Sequence, residues 1–204
     1  MQLSTSLDLA AIRRGEIKDL AHAHLTGMDL SGANLSQVDL SGANLSGANL
    51  SGANLQGSNL RANLRGADLT AANLTGADLR NADLRGANLL DADVRNASFS
   101  GAFLAGAICT NLDLSGIDLR GADLRGVSFS HAVLLETDLR NTNLSGADLS
   151  QADLEQANLS GAVLRGTNLE RANLLCATVE ATQWSGAILE GACLEGTPIA
   201  EISL

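Results

Sequence analysis

The sequence predicts an all-β solenoid in which the chain turns a corner every five residues. Three observations predict it. An apolar residue recurs at every fifth position from Leu25 to Leu60 and, after one four-residue step (residues 61–64), from Leu69 to Leu194. Two places before each of these central positions stands a small residue, nearly always Ala. Two places after stands mostly Gly or Asn, so the unit reads A-(N/D)-L-x-G.

This period fits neither an α-helix nor a flat strand, whose side chains repeat every 3.6 and 2.0 residues. The central residue and the small residue two places before it point inward, and the Asn or Asp between them points out, as in a short β-strand. Gly or Asn at the corner tolerates a positive φ. Successive coils then stack through backbone hydrogen bonds, so each coil covers the edge of the one below.

The composition agrees with a narrow, regular core. The 204 residues include no Tyr, one Trp and three Phe, whereas Leu and Ala are abundant and evenly spread. The longest nearly apolar run, residues 103–109, is too short for a membrane span. The N-terminal residues resemble no secretory signal, and three cysteines without metal-type spacing fit a reducing compartment. We therefore expect a cytoplasmic protein that does not contact a membrane.

The repeat resembles the pentapeptide-repeat family over residues 20–199. The resemblance implies a right-handed quadrilateral parallel β-helix with four units per coil. On that geometry the array makes about nine coils and is roughly 43 Å long, at ~4.8 Å per layer. Many members of such families have no assigned biochemical activity.

The two ends differ from the array. Residues 1–19 are predicted to form an N-terminal cap with a short helix over residues 6–14, because Thr5 and Asp8 have capping-box-like spacing and Gly15 is a plausible stop. Residues 20–199 form the solenoid and residues 200–204 a C-terminal tail. The protein is expected to be a monomer or, as the resemblance implies for members that dimerise, an end-to-end dimer in which Trp184 could take part.

Some central and inward positions depart from the pattern. Cys109 replaces a central Leu, while Leu112 and Ile117 replace inward Ala residues nearby. A smaller side chain beside larger ones predicts an exchange of volume within a tightly packed core.

No residue pattern identifies a catalytic, cofactor-binding or metal-binding residue, and we expect none. An uninterrupted array of Leu and Ala leaves no concave cleft for a substrate. Ser, Asp and His recur too often to define a catalytic trio. His22 and His24 alternate as metal ligands on a strand could, but ordinary polar residues of the first coil explain them better.

The outward charges are organised in pairs. Five Asp-Leu-Arg segments place an Arg two residues after an Asp on the same outward face, ending at Arg80, Arg85, Arg120, Arg125 and Arg140. Such pairs predict a solvated ladder of surface ion pairs, each contributing little. With a net charge of −10 and no uncompensated basic stripe, the protein is not expected to bind nucleic acid directly.

Two surface features could instead receive a protein partner. Val133 and Leu135 are predicted to lie outward on one side, with Leu175 two coils further along and Glu155 between them. Residues 150–204 carry seven acidic and two basic side chains. The candidate partner surface therefore comprises these residues: Val133, Leu135, Glu155, Leu175, Glu170, Glu180, Glu190 and Glu195.

The sequence thus favours a non-enzymatic structural or protein-interaction module, a rigid solenoid that presents regular polar faces to an unidentified protein. The resemblance offers an alternative, a DNA-mimicking inhibitor or protector of a type II topoisomerase such as DNA gyrase. The acid excess favours that alternative. The Asp-Leu-Arg pairs, the lack of a projecting loop and the choice of Leu rather than Phe at central positions count against it.

Overall fold

The computed structural model describes residues 8–198. It begins with helix α1, Leu9–Arg13, whose N-cap is Asp8; the Asp8 carboxylate accepts a hydrogen bond from the Ala11 amide at 3.0 Å. The helix is shorter than the predicted span of residues 6–14, because Asp8 itself is the N-cap. Thr5, Ile199 and the predicted tail at residues 200–204 lie outside the described residues.

Helix α1 packs on the first coil of the solenoid. Ile12 is fully buried in the core, and the Arg13 carbonyl accepts a hydrogen bond from the Asn34 amide at 2.8 Å. The Arg13 guanidinium donates to the Asp29 and Ser31 carbonyls at 2.7 and 2.6 Å. Arg13 at the end of the helix therefore forms hydrogen bonds with backbone groups of the first coil that have no coil below them to bond to.

The rest of the described chain is a stack of coils, and each coil has four sides. The strand element on each side is a single-residue parallel bridge at the position before the central residue. We number the sides by the central residues of one coil: face 1 carries Leu64, face 2 Leu69, face 3 Leu74 and face 4 Leu79. The bridges join residues twenty apart, as in Asp138↔Asn158, so four five-residue units complete one coil.

The corners follow from the local sequence. The Asn or Asp before each central residue accepts the amide two residues on, as Asn49 Oδ1 does from Ser51 at 3.0 Å. The Ser51 hydroxyl donates to the same oxygen at 2.7 Å. The residue after that has a positive φ, mostly as Gly or Asn, and His131 occupies one such corner at φ 58°. These side-chain turns explain why Asn or Asp precedes the central residue and Ser or Thr often follows it.

The core is a column of Leu side chains flanked by Ala. Leu25 to Leu60 and most later central residues are fully buried, and Val94, Phe99 and Phe129 are buried as predicted from their central positions. Where Thr replaces an inward Ala it finds a partner, because Thr137 and Thr167 donate to the Leu114 and Leu144 carbonyls at 2.9 and 2.8 Å. A buried hydroxyl is tolerated when it is hydrogen-bonded.

The four-residue step removes one corner residue between faces 4 and 1. Bridges across it join residues nineteen apart, from Asn44↔Asn63 to Asn59↔Asp78, and the spacing of twenty returns at Asn63↔Asp83. At the step itself the Ala62 amide turns back to the Leu60 carbonyl at 2.7 Å. The array therefore absorbs the deletion without losing its four sides.

The small Cys109 side chain does not compensate for the larger Leu112 and Ile117, contrary to the predicted exchange of volume. Cys109, Leu112 and Ile117 are all buried. However, within residues 8–198 the amides of Asp113 and Asp118 donate no hydrogen bond to the coil below, and the bridges Asp93↔Asp113 and Ser98↔Asp118 do not form.

We call this local opening the seam, between residues 91–97 and 111–118 on faces 3 and 4. Ala92 and Ala97, directly below Leu112 and Ile117, are 9% and 6% exposed, whereas Ala132 above Leu112 is 1% exposed. The enlarged side chains separate the two coils, because the small Cys109 lies on another face and offers them no room there.

The last coil is less enclosed. Trp184 takes a central position and is 3% exposed, but Leu189 and Leu194 beyond it are only partly buried. The Trp184 Nε1 atom is buried and has no hydrogen-bond partner among the described residues. Within residues 8–198 no helix has the length and apolar character that crossing a bilayer requires.

Candidate interaction surfaces

The predicted apolar patch lies on face 3. Hydrogen bonds between successive coils align Leu135, Glu155, Leu175 and Glu195 in one outward column: Glu136 N donates to Glu155 O at 3.0 Å, and Gln156 N to Leu175 O at 2.9 Å. Val133 lies in the adjacent column, bridged to Asp153. Each of the three apolar side chains is half-buried. The structure therefore brings Val133, Leu135, Glu155 and Leu175 together on one side.

The remaining candidate Glu residues do not form one surface. Glu170 and Glu190 lie on face 2, next to Ile188, which is 51% exposed. Glu180 lies on face 4, in line with Arg140, since Asn141 N donates to Ser160 O and Gly161 N to Glu180 O. Only Glu195 shares face 3 with Glu155. The acid excess of the last coils is thus spread over three sides.

The Asp-Leu-Arg segments form bidentate ion pairs. Arg85, for example, donates from Nε to Asp83 Oδ1 at 2.8 Å and from Nη2 to Oδ2 at 2.5 Å. The same geometry joins Arg80, Arg120, Arg125 and Arg140 to the Asp two residues before each. A sixth pair, Asp93–Arg95, was not predicted, because its central residue is Val94 and the segment does not match Asp-Leu-Arg. The outward spacing alone, Asp followed by Arg two residues later, would have found it.

These pairs change the acidity of the carboxylates. Hydrogen bonds from the Arg85 side chain hold the pKa of Asp83 below its usual value, although partial burial opposes the effect. Arg95 lowers the pKa of Asp93 to about 2 in the same way. The paired aspartates therefore stay charged well into the acid range.

Three outward arginines lack such a partner. Within residues 8–198, Arg61, Arg65 and Arg165 make no ion pair, although Arg165 donates to the Gln183 side chain at 2.9 Å. Residues 40–67 include Arg61 and Arg65 and no acidic residue. A locally positive surface therefore surrounds the four-residue step in a protein of net charge −10.

The step also produces a surface cavity that the sequence did not predict. It has a volume of about 370 Å³ and is lined by Gly42, Arg61, Ala62, Asn63, Asn81, Asp83, Arg85 and Phe103. We call it the notch. The cavity adjoins the corner that lacks a residue, so the step was the available signal. Phe103 lies at the notch on face 1 and is 45% exposed.

The groups that could support catalysis or metal binding are dispersed. In the described part of the chain, no three His, Cys, Asp or Glu side chains converge on a metal position. His22 and His24 are both exposed on the first coil. Burial raises the pKa of the Cys109 thiol to about 12, so this cysteine carries no thiolate near neutral pH.

The fold and its surfaces define a β-solenoid repeat protein with a filled core and polar faces. Comparison with known proteins identifies the family: the model described as pentapeptide repeats matches residues 19–57, 62–101, 107–146 and 147–182. The chain belongs to the pentapeptide-repeat family. Its solved members imply the right-handed quadrilateral β-helix, with which the four-sided coils agree.

Two solved structures are similar over most of the chain. HetL, a pentapeptide-repeat protein involved in heterocyst differentiation regulation in the cyanobacterium Nostoc sp. strain PCC 7120, is 34% identical, with 91% of each chain covered and a TM-score of 0.52. Full-length QnrB1, a plasmid-mediated fluoroquinolone resistance protein, is 22% identical over 83% of this chain and 90% of its own, with a TM-score of 0.67. The QnrB1 likeness concerns the fold alone. Comparison with curated protein sequences yields no match.

Proposed function

We propose that this protein is a non-enzymatic interaction module that presents face 3 to a protein partner. One observation carries the proposal: the interior is filled by buried Leu and Ala from coil to coil, so binding must use the outer faces. The similarity to HetL, a protein involved in regulation, supports such a role.

Face 3 has the chemistry of a protein contact. Its outward column alternates apolar and acidic side chains: Leu135, Glu155, Leu175, Glu195. Like residues therefore recur every second coil, about 9.6 Å apart for coils ~4.8 Å apart. A partner surface on which basic side chains alternate with apolar ones at this spacing would fit, because rows of complementary charge fix the register of a contact.

Site-specific photocrosslinking tests the proposal. A photoreactive amino acid replaces Leu175 on face 3 in one variant and Ser145 on face 1 in a matched control. We expect one discrete crosslinked partner from the Leu175 position, lost when Glu155→Lys and Glu195→Lys are added, and none from the Ser145 position. Equal crosslinking at both positions, or a crosslink indifferent to the two substitutions, would contradict a partner surface on face 3.

The second candidate is a DNA mimic that acts on a type II topoisomerase. The observation in its favour is the acid excess of residues 150–204, with seven acidic and two basic side chains. Among the described residues, the acids of positions 153–195 are spread over three faces, and six Arg–Asp pairs lower the charge that any one side would present.

A gyrase supercoiling assay separates the two candidates. Increasing amounts of the folded protein are added with and without a quinolone. Inhibition or protection at micromolar concentrations would favour the DNA mimic, and an unchanged reaction would favour the interaction module.

A further inference from the structure

The notch differs from face 3 in position and in charge. Face 3 carries Leu and Glu, whereas the notch lies between faces 4 and 1 and carries Arg61 and Arg85. We propose that the notch binds an acidic segment of a protein, with a carboxylate on Arg61, a backbone N–H on the Arg80 carbonyl and an apolar side chain against Phe103. This site goes beyond the interaction surface proposed above and does not depend on it.

The Arg61 guanidinium of the notch makes no close ion pair among the described residues, although a hydrogen bond and, to a smaller extent, this charge lower the pKa of Asp78 in the next coil. Arg85 is occupied by Asp83 through two hydrogen bonds of 2.8 and 2.5 Å, whereas Arg61 makes no ion pair within residues 8–198. The Arg61 side chain is exposed, and its guanidinium can bind a carboxylate through two parallel N–H donors. Arg65, also unpaired, follows four residues later on face 1 and adds to the local positive charge.

The deletion also leaves a backbone acceptor without a donor. At regular corners the amide of the corner residue donates to the coil above, as Gly42 N does to Arg61 O at 2.9 Å and Gly121 N to Arg140 O at 3.0 Å. The residue that would donate to Arg80 O is the one removed by the step. Among the described residues the Arg80 carbonyl accordingly accepts no backbone hydrogen bond. Arg80 lies beside the notch, since the next residue, Asn81, lines it. A bound peptide can supply the N–H, as an added strand does at a sheet edge.

The third element is apolar. Phe103 lines the notch and is 45% exposed, in a position where neighbouring coils carry Asp83 and Asp123. An exposed aromatic ring beside arginines is a frequent anchor in protein interfaces. The cavity of about 370 Å³ is large enough for a few side chains and too small for a folded element.

These three groups favour a peptide over a nucleic acid. Arg61 alone would accept a phosphate as well as a carboxylate. However, a phosphate backbone offers the Arg80 carbonyl no N–H donor, and its repeated charges would be repelled more strongly by a protein of net charge −10 than one carboxylate would. A peptide offers a carboxylate, an N–H and an apolar side chain within three or so residues.

The test uses the full chain labelled with ¹⁵N and a defined probe, the peptide acetyl-Gly-Leu-Ser-Glu-Gly-amide, with Gln in place of Glu as the control peptide. In titrations followed by amide chemical shifts, we expect saturable changes at Arg61, Asn63, Asn81 and Phe103 with the Glu peptide. Affinity for the Gln peptide should be roughly tenfold lower, as for the loss of a charge-assisted hydrogen-bond pair.

Three variants sharpen the test. Arg61→Glu should abolish the shifts. Insertion of one glycine between Arg61 and Ala62 restores a regular five-residue unit and supplies the donor for Arg80 O, so it should abolish binding in a chain that still folds. Arg165→Glu is the matched control, because Arg165 on face 1 also makes no ion pair within residues 8–198, and it should leave binding unchanged.

Four results would overturn the proposal. They are the absence of shifts at the notch, equal affinity for the two peptides, binding that survives the glycine insertion, and tighter binding of the oligonucleotide dT5 than of the Glu peptide at the same residues. The last result would assign the notch to single-stranded nucleic acid.

Discussion

The Arg95 guanidinium donates to both carboxylate oxygens of Asp93, two residues before it on face 3, with Nε–Oδ1 and Nη2–Oδ2 distances of 2.9 and 2.5 Å. The backbone amide of Arg95 donates to the same Oδ1 at 3.2 Å. One carboxylate therefore closes the turn and holds the ion pair. Other repeat units carry Asn at the equivalent position, because the turn needs only a side-chain oxygen that accepts a hydrogen bond. Asn63, for example, accepts the hydrogen bond of the Arg65 amide at 3.2 Å and forms no ion pair.

Asp93→Asn should separate these two roles. The amide oxygen keeps the turn, and the charge–charge contribution is lost. Because the Arg95 side chain is 72% exposed, we expect a loss of about 0.2–1 kcal/mol in the free energy of unfolding at neutral pH. Chemical denaturation of the two proteins measures it.

The contribution of the Asp93 carboxylate should vanish in acid. Its pKa is lowered to about 2 in the folded protein by Arg95, against ~3.9 for an unfolded Asp. A carboxylate with a depressed folded pKa stabilises fully above the unfolded pKa, and the stabilisation is lost as the pH falls through the folded one. The difference between wild type and Asp93→Asn should thus be constant above about pH 5 and shrink towards pH 2. A difference that persists undiminished at pH 2 would contradict the assignment.

Leu104→Asp tests the inward direction of the central residues. Leu104 is 2% exposed, and its neighbours in the core are apolar. An unpaired carboxylate at this position should cost several kcal/mol, because neither water nor a hydrogen-bond partner is at hand. We expect loss of the β-type circular dichroism. Ser145→Asp, at a half-buried outward position of the same face, is the matched control, and an unchanged melting temperature of Leu104→Asp would show that the central residues do not face inward.

The period was sufficient to predict the solenoid, because each five-residue unit specifies its own turn and its own inward pair. Val94, Phe99, Phe129 and Trp184 were placed in the core from position alone and are buried. The notch could not be predicted, since the step is visible in the sequence but the Arg80 carbonyl left without a donor depends on stacking between coils. The seam could not be predicted either. Leu112 and Ile117 were expected to balance Cys109, although the count of five puts the three residues on successive faces. The sequence does not show that the two coils lose hydrogen bonds where Leu112 and Ile117 stack on Ala92 and Ala97.

Gly101→Ala should destabilise the protein more than Gly121→Ala. Both glycines have positive φ, +68° and +67°, so both substitutions carry the cost of a left-handed conformation. An added Cβ at Gly101 would lie 2.6 Å from Asn81 Oδ1, whereas at Gly121 no atom lies within 4 Å. Thermal unfolding of the two variants isolates the contact. Equal melting temperatures of the two variants would contradict the prediction, because they would mean that the Asn81 side chain rotates away at little cost.

The seam should be the weakest point of the ladder away from its ends. The five amides that donate to no neighbouring coil there belong to Asp91, Val94, Asn96, Asp113 and Asp118, as judged over residues 8–198. Their equivalents one coil on are hydrogen-bonded, for example Leu114 N to Val133 O at 2.7 Å and Val133 N to Leu112 O at 2.9 Å. In native-state hydrogen exchange, we expect the five seam amides to exchange faster than these equivalents, because an unbonded amide exchanges without local unfolding.

A double substitution identifies the cause of the opening. Leu112→Ala with Ile117→Ala restores the regular inward residues, so the coils should close and the five seam amides should become protected. Global stability should nevertheless fall by a few kcal/mol, because two large side chains leave the core. Protection that rises at the seam while overall stability falls is expected only if overpacking separates the coils. Equal exchange at the seam and one coil on in the wild type, or unchanged seam exchange in the variant, would contradict this account.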